Sequence, residues 1–344
     1  MNFASDNTAG ISPEILAALA AVNDGAAASY GADPVTARLE AKLADLFEHE
    51  VAVFPVATGT AANALGLAAV TPPWGAVLCH AGAHIACDEA NAPEFYSAGA
   101  KLVPIDGPDG KLVLADLEAR LPGDLGNPHH AQPAAVSLTQ ATECGTAYRP
   151  GEISAISALA HRHGLAVHVD GARFANALVH LGVSPAELTW RAGVDVLSFG
   201  ATKNGALAAE AIVFFDPARA KDMPFRRKRA GHLFSKMRFL SAQLDAYVTD
   251  GLWLRNARHA NAAAQRLAGG LAGLPGVRLR HPVEANELFV ELPERVIAGL
   301  AAAGAQFHRW EGPTSTCIRL VTAWNTGDAE VSAFLEAASR LAGR

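Results

Sequence analysis

The sequence predicts an α/β fold: a mostly parallel central sheet flanked by helices, followed by a small α+β C-terminal domain. Three observations predict it. Apolar runs of strand length alternate with amphipathic helical runs from Val51 to Phe215, the pattern of parallel strands covered on both faces. Near Asp216 that alternation gives way to longer helices and fewer strands. A chain of 344 residues, 50% of them hydrophobic, has enough length for two domains with large cores and is too apolar for intrinsic disorder.

The elements follow in order. Val51–Val56 reads as a strand and Thr60–Val70 as a helix. Ala76–His80 is a strand, Asp88–Ser97 a helix and Lys101–Ile105 a strand. Leu114–Leu121 is a short helix, then an irregular loop over Gly123–Pro133 leads to the strand Ala134–Leu138. Pro150 opens a helix that runs to His163 and stops at Gly164. Leu165–Val169, Val194–Phe199 and Ala211–Phe215 are three more strands. Arg219–Arg229 is dense in basic residues, and a helical stretch continues towards Asp250. Beyond it stand a helix from Trp253 to about Leu274, strands Val277–Arg280 and Leu288–Leu292, helix Arg295–Ala303, strand Cys317–Val321 and helix Asp328–Leu341. The expected division is an N-terminal arm and helix over 1–30, a large domain over 31–250 and the small domain over 251–344.

Charge excludes several functions. The net charge of −6 gives no positive field to recruit nucleic acid or an anionic membrane. From Val51 to Cys87 there is no Asp, Glu, Lys or Arg, a run of 37 residues. A membrane helix needs about 20 apolar residues in sequence, and here Pro55, Gly59, Asn63 and Pro72-Pro73 interrupt the run. Buried strand, helix and second strand explain it better. The four cysteines form no C-x-x-C pair and are too widely spaced for a zinc site. Free thiols and the absence of a signal-like start point to a cytoplasmic protein, with no metal expected. No G-x-G-x-x-G follows the first strand, which argues against a dinucleotide oxidoreductase.

In an open parallel sheet, ligands bind beyond the carboxyl ends of the strands. After Val51–Val56 comes Ala57-Thr58-Gly59-Thr60-Ala61. A turn opening a helix offers free N–H groups, a hydroxyl and the positive end of the helix dipole, the outline of a phosphate site. After the next strand comes Ala83-His84-Ile85, with Asp88-Glu89 close behind. After Leu165–Val169 comes Asp170-Gly171-Ala172-Arg173. A carboxylate there needs a positive partner, either Arg173 or a bound cation. After Val194–Phe199 comes Thr202-Lys203-Asn204-Gly205. A lysine among small residues at the end of a buried strand suits Schiff-base chemistry. Phosphate turn, aromatic ring, strand-end aspartate and strand-end lysine together suit pyridoxal 5′-phosphate (PLP).

The stretches Ala4-Ser5-Asp6-Asn7, Tyr30-Gly31-Ala32-Asp33, Gly59-Thr60-Ala61-Ala62-Asn63, Ala83-His84-Ile85, Thr139-Gln140-Ala141-Thr142-Glu143, Asp170-Gly171-Ala172-Arg173-Phe174, Gly200-Ala201-Thr202-Lys203-Asn204-Gly205 and Pro282-Val283-Glu284-Ala285-Asn286 occur in order along the chain. They resemble the low-specificity L-threonine aldolases and phenylserine aldolases, fold type I PLP-dependent enzymes. The resemblance implies that Lys203 carries the cofactor, Asp170 pairs with its ring nitrogen and His84 stacks on the ring. It implies that Gly59 and Thr60, with Thr202, hold the phosphate. Arg173 would reach the ring oxygen and the substrate carboxylate, and Ser5 and Arg319 would clamp that carboxylate. His129 would be a second active-site histidine. Tyr30 and Lys228 fall in regions that in this family reach across a dimer interface, so a homo-oligomer, a dimer or a tetramer of two dimers, is implied.

The implied reaction is retro-aldol cleavage of L-threonine, L-allo-threonine and related β-hydroxy-α-amino acids to glycine and an aldehyde. Another fold type I lyase or an aminotransferase is the alternative within PLP chemistry. A non-catalytic binding protein is the alternative outside it.

Overall fold

The computed structural model describes residues 1–121 and 125–343. Residues 123 and 124 of the loop expected over Gly123–Pro133 lie outside the described residues. The larger sheet contains β1 (Ala52–Val56), β2 (Gly75–His80), β3 (Lys101–Ile105), β4 (Gln132–Thr139), β5 (Ala166–Gly171), β6 (Val196–Gly200) and β7 (Glu210–Phe214). Their spatial order is β1-β7-β6-β5-β4-β2-β3. Pairing is parallel from β6 across to β3, while β7 runs antiparallel to both of its neighbours. Six strands therefore end at one edge of the sheet, and β7 begins there. The mostly parallel sheet expected from the alternation is present.

The helix Gly59–Val70 lies against this sheet. Gly66 lets it approach closely, because a Cβ there would meet Val196 at 3.3 Å and Ile212 at 3.4 Å. An aromatic cluster fills the core. The ring of Phe199 stands 5.5 Å from Trp253, 6.0 Å from Tyr247 and 6.1 Å from Phe47. Such offset and edge contacts add to what burying large rings already contributes. Phe199 is the penultimate residue of β6, so the cluster fixes the strand that leads into Lys203.

The smaller sheet is antiparallel, in the order β10-β11-β9-β8, from β8 (Arg278–Leu279), β9 (Glu287–Glu291), β10 (His308–Arg309) and β11 (Cys317–Val321). The N-terminal arm is tied to it. Phe3 N–H donates to Gln306 O at 2.9 Å, and Val321 N–H donates to Phe3 O at 2.8 Å. Phe3 itself is buried edge-on against Phe334. The arm thereby places residues 5–7 beside the larger sheet.

Two expected elements differ. The helix read over Asp88–Ser97 is replaced by two short helices, His84–Cys87 and Ala92–Tyr96. Ala90 and Asn91 between them have φ of 47° and 62°, which no continuous helix accommodates. The stretch from Arg219 to Asp250 is likewise divided, into Pro217–Ala220, Met223–Arg229 and Arg238–Val248. Helices Pro34–Phe47 and Phe174–Leu181 add to the elements read from the sequence. Among the described residues, no helix is long and apolar enough to cross a membrane.

Candidate active site

The strand ends and the start of β7 surround a cavity of about 310 Å³. Gly59, Thr60, His84, Asp170, Thr202 and Lys203 all line it. The sequence places these six more than a hundred residues apart at the extremes, and the parallel topology collects them.

One end is built by the start of helix Gly59–Val70. Thr58 is its N-cap. The Thr58 hydroxyl accepts from Ala61 N–H at 3.2 Å, and Thr58 O accepts from Ala62 N–H at 3.1 Å. That leaves the Gly59 and Thr60 N–H groups without a partner among the described residues, at the positive end of the helix. Thr202 lines the same cavity, and its hydroxyl accepts from Ala209 N–H at 3.2 Å. Thr58 had not been singled out in the sequence, although it begins the same turn.

The middle is a hydrogen-bonded chain of four side chains. His84 Nδ1 lies 2.8 Å from Glu89 Oε1. Asn63 Nδ2 donates to that same Glu89 oxygen and to Asp170 Oδ2, each at 2.8 Å. Asp170 Oδ1 accepts from Ala172 N–H at 3.0 Å. The bond to Glu89 holds the His84 pKa above its ordinary value, and burial raises that of Glu89. Beneath Asp170, His168 bridges Ser137 and Ser198. Burial lowers its pKa to about 4, so it stays neutral.

The far side is the turn after β6. Thr202–Asn204 forms a single 3-10 turn closed by Gly205 at φ 112°. Asn204 Nδ2 donates to Tyr247 Oη and to Trp253 O, both at 2.8 Å, so the residue after Lys203 is fixed to the core. On the other side of the lysine, Ala201 N–H donates to Glu210 Oε2 at 2.7 Å. Glu210 lines the cavity, and burial raises its carboxyl to about 7.

Arg173 meets the N-terminal arm. It neither pairs with Asp170 nor lines the cavity. Its Nε and Nη2 donate to the two oxygens of Asp6 at 2.8 and 3.2 Å, and Nη1 donates to Glu287 at 3.3 Å. Burial pushes the Asp6 carboxyl up, but Arg173 and Lys203 outweigh it and hold it below the usual carboxylate range. Asn286 Nδ2 also donates to Asp6, at 3.0 Å. Arg319 lies beside the N-terminal arm, next to Ser5, and neither is on the cavity lining. Arg319 Nη2 donates to Ala4 O at 3.4 Å, and the Ser5 hydroxyl accepts from Asn7 N–H at 3.1 Å. Arg319 Nε is buried with no hydrogen-bond partner among the described residues.

Three more expected residues stand off the cavity lining. His129 is exposed on the loop that precedes β4, in a surface hollow with Lys101 and Arg120. Both β3 and β4 begin at that edge, opposite the one that carries the cavity, so His129 cannot enter the cavity of its own chain. Tyr30 and Lys228 do not line the cavity either. They meet each other instead, with Lys228 Nζ 4.9 Å from the centre of the half-exposed Tyr30 ring.

The residues present fit PLP. The cavity offers two unpartnered N–H groups at one end, a strand-end lysine and a buried aspartate held by neutral donors. Residues 2–294 match the beta-eliminating lyase family. The chain is 46% identical over 331 residues to a low specificity L-threonine aldolase of Pseudomonas sp. (strain NCIMB 10558), covering 96% of this chain and 94% of the relative. It is 48% identical over 326 residues to the low specificity L-threonine aldolase of Pseudomonas aeruginosa, covering 94% and 93%. Its fold superposes on a threonine aldolase of Leishmania major with a TM-score of 0.93, 31% identity and 99% of both chains covered.

Proposed function

The chain belongs to the beta-eliminating lyase family, among its low-specificity L-threonine aldolases, and from that premise we propose that it cleaves L-threonine, L-allo-threonine and bulkier β-hydroxy-α-amino acids such as phenylserine to glycine and an aldehyde. It is a PLP-dependent aldehyde-lyase on the fold type I scaffold. The observation that carries the reading is the shared cavity of Gly59, Thr60, His84, Asp170 and Lys203.

PLP, when bound, supplies an electron sink for the pair released as the Cα–Cβ bond breaks. Lys203 is the residue that carries it covalently. Gly59 and Thr60 hold the phosphate through their free N–H groups, with Thr202 beside them. Asp170, buried at the strand end, would keep a proton on the ring nitrogen. His84 would stack on the ring. Its Nδ1 is committed to Glu89, so Nε2 is the atom left to take the β-hydroxyl proton, directly or through a water. Arg319 and Ser5 hold the substrate carboxylate, which fixes Cα–Cβ relative to the ring. Arg173 supports this end through Asp6, the neighbour of Ser5.

Residues 1–30 act as the arm that brings in Ser5, 31–250 as the cofactor domain and 251–344 as the domain that supplies Arg319. Tyr30 and Lys228 stand together on the surface outside their own cavity, which supports a dimer in which they complete the neighbour's site, and a tetramer of two such dimers. The reading places the enzyme in the cytoplasm.

Incubation of the PLP-loaded protein with L-threonine and with L-phenylserine tests the function. Acetaldehyde or benzaldehyde appearing with equimolar glycine is the expected result. Pyruvate and ammonia, a keto acid, or no aldehyde from either substrate would overturn it.

A further inference from the structure

Glu210 is a buried carboxyl on the wall of a cavity suited to a phosphate. It stands at the start of β7, paired with Gly200 of β6 on one side and Val56 of β1 on the other. Its neighbours in the cavity are the phosphate-end residues: Thr58, Gly59 and Thr60 from the turn after β1, and Thr202 from the turn after β6. The run from Val51 to Cys87 contributes no lysine or arginine that could neutralise it.

The charged or titratable groups that act on Glu210 from the packed elements are Lys203, on the turn after β6, and Tyr247, on helix Arg238–Val248. The cavity's other titratable groups are His84, Glu89, Glu143 and Asp170. Lys203 is the one lysine or arginine on the lining, among the described residues. Within one chain, that single ammonium cannot neutralise both a carboxylate and a phosphate dianion. Two like charges sharing a low-dielectric site force the weaker acid to keep its proton. A phosphate ester is dianionic above a pKa of about 6, whereas burial already raises Glu210 to about 7. Glu210 is therefore the group that yields.

We propose that Glu210 makes cofactor binding proton-linked: it pins the Lys203 turn through Ala201 N–H and Thr202, and it takes up a proton when a phosphate dianion enters beside it. This rests on the PLP reading above. The sign follows from linkage. The neutral acid favours the dianion, so affinity is greatest where the phosphate is already dianionic and Glu210 still holds its proton, and it weakens as pH rises above the value of the free site.

The test is calorimetric titration of cofactor-free protein with pyridoxine 5′-phosphate, which carries the ring and phosphate but no aldehyde for Lys203. Paired buffers of different ionisation enthalpy at pH 8 report the protons taken up per ligand. The wild type should take up close to one proton more than Glu210→Gln. Its Kd should rise by up to about tenfold per pH unit above pH 7 relative to that variant. Equal uptake and equal slopes in the two proteins would overturn the proposal. Infrared difference spectra of the wild type alone give a second reading that does not need the variant to fold. A carboxylic-acid band should appear on binding, and its absence also overturns the proposal. Equal slopes with binding intact leave the PLP reading standing, whereas no binding at any pH overturns both.

Discussion

Glu89 receives His84 Nδ1 on the same oxygen that receives Asn63, 2.8 Å from each. The carboxylate thereby selects the His84 tautomer that leaves Nε2 open, and it stabilises the imidazolium. Glu89→Gln removes that charge. The His84 pKa, now raised by Glu89, should fall. If neutral Nε2 is the base, activity rises as pH passes upward through that pKa. The acid limb of the kcat/KM profile should therefore move to lower pH in Glu89→Gln. An unmoved limb would mean that His84 is not the titrating base. His84→Asn should lose about 10²–10⁴-fold in kcat with the cofactor still bound.

The Asp6–Arg173 pair joins the N-terminal arm to the turn after β5. Both side chains are almost fully buried, so removing Asp6 leaves the Arg173 guanidinium with Glu287 as its one ion-pair partner among the described residues. Asp6→Asn should cost about 3–5 kcal/mol in urea unfolding. The Asp6 pKa is lowered in the folded protein. Its contribution is therefore fully present above the unfolded value of about 3.9 and disappears as pH falls through the folded value. The stability gap between wild type and Asp6→Asn should be constant from pH 6 to 8 and close on acidification. A gap that widened towards acid would contradict this assignment.

The site residues legible in the sequence are those that follow parallel strands, because each strand ends in a visible break of its apolar run. Gly59, His84, Asp170 and Lys203 were found that way. Glu210 was hidden by the same logic. It begins an antiparallel strand, so it reaches the edge from the other direction, and its carboxyl reads as the start of an apolar run. Asp6 lies in the stretch Ala4–Asn7, yet its partner is 167 residues away, and no local pattern encodes that pairing. Arg173 stands three residues after Asp170, a spacing that suggested a pair. The bend after β5 turns it towards Asp6 instead. His129 stands on the loop at the far end of β4, and a resemblance in sequence order does not say which end of a strand a loop occupies.

Gly200 sits where β5 and β6 come closest at the site. A Cβ there would meet Ala172 Cα and O at 2.7 Å and Gly171 O at 2.8 Å. These are backbone atoms and cannot move aside alone. Gly200→Ala should force apart the two strand ends that carry Asp170 and Lys203. The cost should be about 1–3 kcal/mol in stability, with weaker PLP binding read from the visible absorbance of the bound cofactor. A variant with wild-type melting and wild-type cofactor affinity would show that the strands separate without strain.

Asn63 holds two carboxylates together with one amide. Its Nδ2 serves Glu89 and Asp170, and its Oδ1 is buried without a partner among the described residues. Asn63→Asp keeps the volume but replaces the shared donor with a third acid. The new carboxyl faces Glu89 and Asp170 in a buried site, so its pKa in the folded protein must be raised by burial and like charge. A raised acid destabilises above its unfolded pKa of about 3.9, and the cost grows as pH climbs towards the folded value. Urea midpoints should therefore lie near the wild type at pH 5 and fall below it at pH 8, by the equivalent of about 3–5 kcal/mol for an uncompensated buried charge. Asn63→Ala separates the two effects. It removes the donor without adding an acid, so its deficit should not grow with pH in that way. A pH-independent loss in Asn63→Asp would show that the missing bridge, not the added charge, is what the network feels.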